Sequence, residues 1–488
     1  MRLAWSALGG CLLLASCFTD PPGVSGSGSG STEGAESSTS ASDSDSDSTG
    51  VTTTESTTNA SATEPTTNPT TGPVDTSSSE GGSSSTGDAP AELPPDMVRL
   101  SGTNFGMDIN ALAVGGSGLL MAGNVQVANP TNRDPVFIAL SAEEATIWRL
   151  GTVGSNEQGW AVAARATGAA LVGLARDSAN NVDGALLALT NADFEPVAAW
   201  RRTESSGRPI QARAVIPTNG GWIIAGHVGG QSIYVERVDD VGETVRAVEF
   251  SFDVDTSDLF PLRLEQNAAG HVAIVVQADE NAVFTSLVVV IDGDDDLNLL
   301  GSTRLSVVGA DVRMSDIHAT TDGWLLAGEV ANEGAIVELG DALQFVTGST
   351  YSLPRLGAIR PRGETVWIAG GGMGSALAGV VRPEGATVVE TPIDAPPVFL
   401  PSAVVAGVDN LAMAGDIDGE PVAVFINENP IAACQMQPWG SSLDSGAMDL
   451  SLVAELVDVT IGDLSIDRII LPVPTEPTTT VALDNQCL

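Results

Sequence analysis

Lysine is absent from this 488-residue chain, histidine occurs three times, cysteine four times and tyrosine twice, and aromatic residues make up only 4%. Without lysine, all 20 basic residues are arginine; they face 62 Asp and Glu, for a formal net charge of -42. A chain this acidic is repelled by phosphate backbones and anionic head groups, which excludes nucleic-acid binding and electrostatic adhesion to a membrane. The acidity serves solubility. The three histidines, His227, His271 and His318, leave base catalysis few places, and no Ser-His-Asp order, Cys-His pair or glycine-rich phosphate loop stands out.

What the chain does hold is small and apolar. Hydrophobic residues reach 43% and glycine 54, a composition that predicts many short Val/Ala/Leu-rich strands separated by glycine turns rather than long helices. The length has room for two or three average domains, although a repeat architecture can use more chain for one.

Residues 1–16 read as a signal peptide: Arg2 gives a positive end, "LAWSALGGCLLLA" an apolar run too short to span a membrane as a mature helix, and small residues follow. At the end stands "LASC", Leu14 to Cys17, which resembles the lipobox of bacterial lipoproteins. In that family the chain is cut before the cysteine and the sulfur carries a diacylglycerol, so the resemblance implies lipidation of Cys17. An earlier "LGGC" ends at Cys11 but leaves a shorter apolar core; an ordinary secretory signal is the plainer alternative. Residues 17–95 are rich in Ser, Thr, Gly, Pro and Asp, as in "STSASDSDSDSTG", and cannot bury enough apolar surface to fold. As a flexible coil of roughly 75 residues this segment has a reach on the order of 50 Å, which suits a tether.

From about residue 97 to 435 a motif recurs: "LLMAG" ending at Gly123, "ALVG" at Gly173, "WIIAG" at Gly226, "HVAIVV" with Val275 in the glycine's place, "WLLAG" at Gly328, "VWIAG" at Gly370 and "LAMAG" at Gly415. An apolar strand and a turn precede each copy, and a third and usually a fourth strand follow. In "WIIAG", Trp222 and Ile224 share one face and Ile223 and Ala225 the other, so the strand is apolar on both sides, as where sheets stack face to face. The glycine before the Trp suits a tight turn, and the closing Ala-Gly suits strands crowding towards a hub. A Trp here is filler between sheets rather than a ligand platform, since Leu, Ala, His and Val replace it in other copies.

This pattern resembles the β-propeller repeats of uncharacterised Gram-negative lipoproteins and secreted proteins. The resemblance implies an all-β fold, a seven-bladed β-propeller with six or eight blades as alternatives, and nothing about chemistry. Signatures of sialidase, Kelch and other well-known propellers are missing.

Two cysteines remain after processing, Cys434 and Cys487. In an exported protein they read as a disulfide worth about 4 kcal/mol on the chain-entropy model. That bridge pins residues 436–488, a β-rich extension, as a cap or as the strand that closes the ring; "MVRLSG" at 97–102 is the competing closure.

Candidate site residues are few. Just past the Ala-Gly pair stand Asn124, His227, Glu329 and Asp416, where loops of a propeller open on one rim and polar groups could line a binding mouth; the plainer reading is strand ends meeting water. His318 could face a central channel or be a hydrogen-bonded core histidine. "IDGDDDLN" at 291–298 has the look of a calcium loop but lacks the following Glu and falls where a hairpin turn belongs. No cofactor is expected, calcium being the one ion with a candidate loop. The sequence thus predicts a monomeric lipoprotein of the bacterial cell envelope, at the outer rather than the inner membrane and touching it only through the N-terminal lipid. Its domain binds or scaffolds a protein or glycan in the periplasm or outside the cell; the competing class is a hydrolase or lyase with a metal in the mouth.

Overall fold

In a computed structural model of the chain, the described residues are 97–99, 107–427 with short gaps, 445–448 and 451–482, and all their regular structure is β-strand. Residues 1–96, with Cys17, and both Cys434 and Cys487 lie outside the described residues. The all-β expectation holds. Four consecutive strands at a time form an antiparallel sheet, as in the third: Ile210–Thr218, Gly221–Val228, Ser232–Asp239 and Thr244–Phe252. Six sheets follow this plan, with first strands Met107–Gly115, Glu157–Arg165, Ile210–Thr218, Leu259–Gln266, Val312–Ala319 and Leu356–Arg362.

The seventh sheet draws three strands from Ala403–Ala406, Asn410–Ile417 and Glu420–Asn427, and its fourth is Met97–Arg99, with Val98 opposite Ala423. The chain's two ends of the repeat region are thereby joined, and "MVR" is the strand that does it. Each sheet's first strand packs against the first strand of the next sheet, and that of the seventh returns to the first.

The motif strands lie where these sheets face one another. Every residue of Gly221–Val228 is buried. Trp222 and Ile224 pack with Ala163, Val172 and Leu187 of the second sheet, whereas Ile223 and Ala225 pack with Leu264 and Ile274 of the fourth. Trp324 faces Ala273, Val275 and Val288 of the fourth sheet in the same sense. Alternate residues therefore serve opposite neighbours, which is why this strand shows no polar face. Burying one such indole contributes roughly 4 to 6 kcal/mol of gross transfer energy.

The repeat glycine has a cause that differs from crowding at a hub. In each of the first six sheets the first strand is bulged, between Ile109/Ala111, Gly159/Ala161, Ala212/Ala214, Pro261/Arg263, Met314/Asp316 and Leu356/Ala358. Gly226 stands opposite Ala212, and a Cβ there would lie 2.0 Å from the Gln211 carbonyl oxygen; at Gly328 it would lie 2.2 Å from that of Arg313. A bulge pushes its strand's backbone against the partner, and only hydrogen fits. The fourth sheet also corrects the alignment. Its turn glycine Gly270 (φ 89°) matches Gly220 (φ 83°), so His271 takes the place of Gly221, and Val276, opposite Pro261, takes the glycine's place instead of Val275.

The described strands of the C-terminal extension add to the outer edges of sheets. Ser445–Ala447 pairs with the fourth strand of the fifth sheet, Val453–Leu456 with that of the fourth, Val459–Asp463 with the third, Ile466–Ile470 with the second and Thr479–Ala482 with the first. The tail thus runs against the chain order, adding one outer strand to five successive sheets. Between strands it drops an apolar side chain into each groove: Leu464 joins the cluster around Trp200 and Ala247, while Val457 and Leu471 pack on the clusters to either side. Those three residues are spaced by seven, so one strand and one plug advance the tail by one sheet. Ion pairs Arg246–Asp463, Arg304–Glu455 and Arg468–Glu243 tie it down. As exposed pairs they add little each; the plugs and ladders hold the tail.

Candidate functional site

A bulge leaves backbone amides off the ladder, and buried amides need partners. The preceding sheet supplies them. Asn124 Oδ1 accepts from Gly159 N at 2.8 Å, while Asn110 Nδ2 donates to Gly159 O at 2.8 Å. Ser286 Oγ accepts from Met314 N at 2.8 Å, and Asp316 Oδ2 from Ile359 N at 2.9 Å. Asn124, which is 3% exposed, is therefore a tie between the first and second sheets.

His227 has the same position in the third sheet, one residue after the repeat glycine, but the residue it would serve in the fourth is Pro261, which has no N–H. The imidazole instead packs edge-on against Phe260, with centroids 5.5 Å apart and planes at 89°, and Nδ1 is buried with no hydrogen-bond partner. Burial above all, aided by the charge of Arg213 and opposed by Asp183, pushes the His227 pKa down to about 3. The ring is neutral at ordinary pH.

Glu329 occupies this position in the fifth sheet, half-buried and opposite Arg313. Asp416 sits on Asn410–Ile417 opposite Pro421, and its side chain is outside the described residues. Asn124 and His227 are not brought together: each is directed at its own junction between sheets. His318 is 5% exposed, with Nδ1 3.2 Å from Glu265 Oε1, so it bridges the fourth and fifth sheets. Beside it the buried Asp316 pairs with Arg263 at 3.0 Å and with Arg360, joining the fourth, fifth and sixth. Of residues 291–298, 294 and 295 lie outside the described residues; Asp292 N donates to Asn298 O at 2.8 Å where Val283–Asp292 connects to Leu299–Ser306. Among the described residues no group of three or more His, Cys, Asp and Glu is placed to hold a metal.

The most unusual cluster was not singled out by sequence reasoning. Arg213, the bulge residue of the third sheet, lies with its guanidinium carbon 3.4 Å from the centroid of Trp160, the bulge residue of the second, and 5.5 Å from that of Phe260 in the fourth. One of its amino groups donates to Gln211 Oε1 at 3.2 Å, and its Nε is buried without a partner. Gln211 Nε2 in turn donates to Asp183 Oδ2 at 3.0 Å, and Asp183 is already held by Arg176 at 2.6 Å. Burial pushes the Arg213 pKa down to about 9, because a cation here loses hydration that no adjacent carboxylate replaces. The signal in the sequence was a lone Arg between alanines in "IQARAVIPTNG".

No family model matches the chain, and no curated protein matches it.

Proposed function

We propose that the protein is a lipid-anchored, seven-bladed β-propeller of the bacterial cell envelope that binds or scaffolds a protein or glycan partner without catalysis. Seven sheets whose first strands contact one another in cyclic succession, with an N-terminal strand completing the last sheet, support the propeller. The lipobox at Leu14–Cys17 and the acidic, Ser/Thr-rich segment after it support the anchor and tether, at the outer membrane. The observation that carries the non-catalytic reading is the employment of the ionisable groups on the first strands. Arg263, Glu265, Asp316, His318 and Arg360 join sheet to sheet, which is structural work rather than an acid and base facing a shared pocket.

Two measurements test this. Expressed with its N-terminus intact in a Gram-negative host, wild type should enter the detergent phase, whereas Cys17→Ser should stay aqueous and unprocessed; equal partitioning overturns the anchor. A photo-crosslinker should give a discrete adduct from one rim only, at Gln231 beside the second-to-third-strand loop or at Ala268 on the opposite turn, both exposed. Metal-dependent turnover of ester, amide or glycoside substrates by the purified domain would replace binding with catalysis.

A further inference from the structure

Two stacked arginines, one on the first strand of the third sheet and one on that of the fifth, differ in one respect. Arg313 lies over Phe284 with its guanidinium carbon 3.8 Å from the ring centroid, and it donates to Asp311, two residues earlier, at 3.0 Å. Arg213 lies over Trp160 and donates to the residue two earlier as well, but that residue is Gln211. In a chain with three acids for each base, most buried arginines find a carboxylate; Arg213 has none within ion-pair distance among the described residues. The guanidinium can donate five hydrogen bonds and makes one. Trp160, Arg213 and Phe260 each keep part of their surface open to solvent. His227, 8% exposed with Nδ1 unpartnered, closes the other side of Phe260.

We propose that Arg213, framed by Trp160, Phe260 and His227 at the junction of the second, third and fourth sheets, is the binding site for a monocarboxylate group of a ligand. The inference rests on the binding role proposed above and names the chemistry that one subsite recognises. Arg213 supplies a planar fork for two carboxylate oxygens, and Trp160 holds the fork's plane. One negative charge neutralises the positive charge of Arg213. A phosphate dianion would leave a net negative charge in a half-buried junction of a protein already at -42.

The test uses acetate and benzoate as probes against inorganic phosphate, with chloride holding ionic strength constant. Wild type should bind benzoate by calorimetry and unfold at a higher temperature in its presence, since a ligand of the folded state stabilises by mass action. Arg213→Met should lose both responses, and Arg213→Lys, which keeps the charge without the fork, should weaken binding about tenfold. Without ligand, Arg213→Met should unfold at the same temperature as wild type or higher, because it removes an unpaired buried charge; a purely structural arginine would move the midpoint down. Equal benzoate binding by wild type and Arg213→Met overturns the site, and stronger binding of phosphate than of benzoate overturns the carboxylate class. Either failure leaves the crosslinking result at the rims standing, so the two readings fall separately.

Discussion

The Gln211 carbonyl oxygen stands 2.0 Å from the point where Gly226 would carry a Cβ, and this single approach explains a glycine that recurs through the chain. Gly226→Ala and Gly328→Ala should each force the bulge to move and cost about 1 to 3 kcal/mol, with Val substitutions at least as costly. At Val276, which replaces the glycine opposite Pro261, the side chain is fully buried, so Val276→Gly should destabilise. Urea unfolding of the three sites would show glycine required at two and harmful at the third. Equal tolerance of Ala at Gly226 and Gly328 would remove the bulge as the cause. Trp222→Ala and Trp324→Ala, each 2% exposed in wild type, should cost about 3 to 5 kcal/mol through the cavities they leave.

Much of this was legible in advance, because period-2 burial on both faces is written in "WIIAG" and "WLLAG" themselves. The strand that completes the seventh sheet could also be foreseen in "MVRLSG". The bulges could not, since an extra residue leaves no mark on a strand of small apolar residues; the one-residue slip at Val276 is its consequence. The destination of the tail was equally hidden. Its strands pair with partners from about 94 to about 338 positions away, and the local signal is only the seven-residue spacing of Val457, Leu464 and Leu471. At the candidate site, His227 was recognised as a residue but not its setting, which depends on Pro261 of another sheet lacking an N–H.

His227 makes acid sensitivity predictable in sign. Its folded-state pKa of about 3 lies below its ordinary 6.5. Between those values the unfolded chain binds a proton that the folded chain does not, so this group's contribution is complete above pH 6.5 and is lost as pH falls towards 3. Carboxylates add their own dependence at the lower end. His227→Leu should flatten the slope of unfolding free energy between pH 6.5 and about 4, removing on the order of 2 to 3 kcal/mol of pH-dependent change. Since burial is the leading cause, Arg213→Met should leave most of the slope in place. A slope unchanged in His227→Leu would show that the ring is protonated, or solvated, in the folded protein.

The tail holds by plugs rather than by its whole apolar content. Leu464 is 8% exposed within the Trp200 cluster, whereas Ile470, on the next tail strand, is 82% exposed. Leu464→Ala should cost about 2 to 5 kcal/mol and increase proteolysis within 445–482, while Ile470→Ala should stay within about 0.5 kcal/mol of wild type. Hydrogen exchange would then show the outer strands of the second and third sheets opening first. Similar effects from both substitutions would mean that the tail binds as a uniform strip.

The course of the tail gives the two distal cysteines a geometric reason to meet, although both lie outside the described residues. Cys434 follows the seventh sheet's strand Glu420–Asn427 by seven residues, and Cys487 follows the first sheet's added strand Thr479–Ala482 by five. The seventh and first sheets are neighbours through their first strands. At about 3.3 Å per residue these two stretches can span up to roughly 23 and 17 Å. A Cys434–Cys487 disulfide would turn the tail into a closed belt whose long arc crosses five sheets. Closing a loop of that length should stabilise by about 4 kcal/mol if the bridge is unstrained. Reduction, or Cys487→Ser, should therefore lower the unfolding midpoint and release 445–482 to protease from its C-terminal end first, because the strand on the first sheet is then the terminal one. Intact mass measurement on protein exported to an oxidising compartment should find no free thiol at either position. Two free thiols there, or a midpoint indifferent to reductant, would leave the tail held by its ladders and plugs alone.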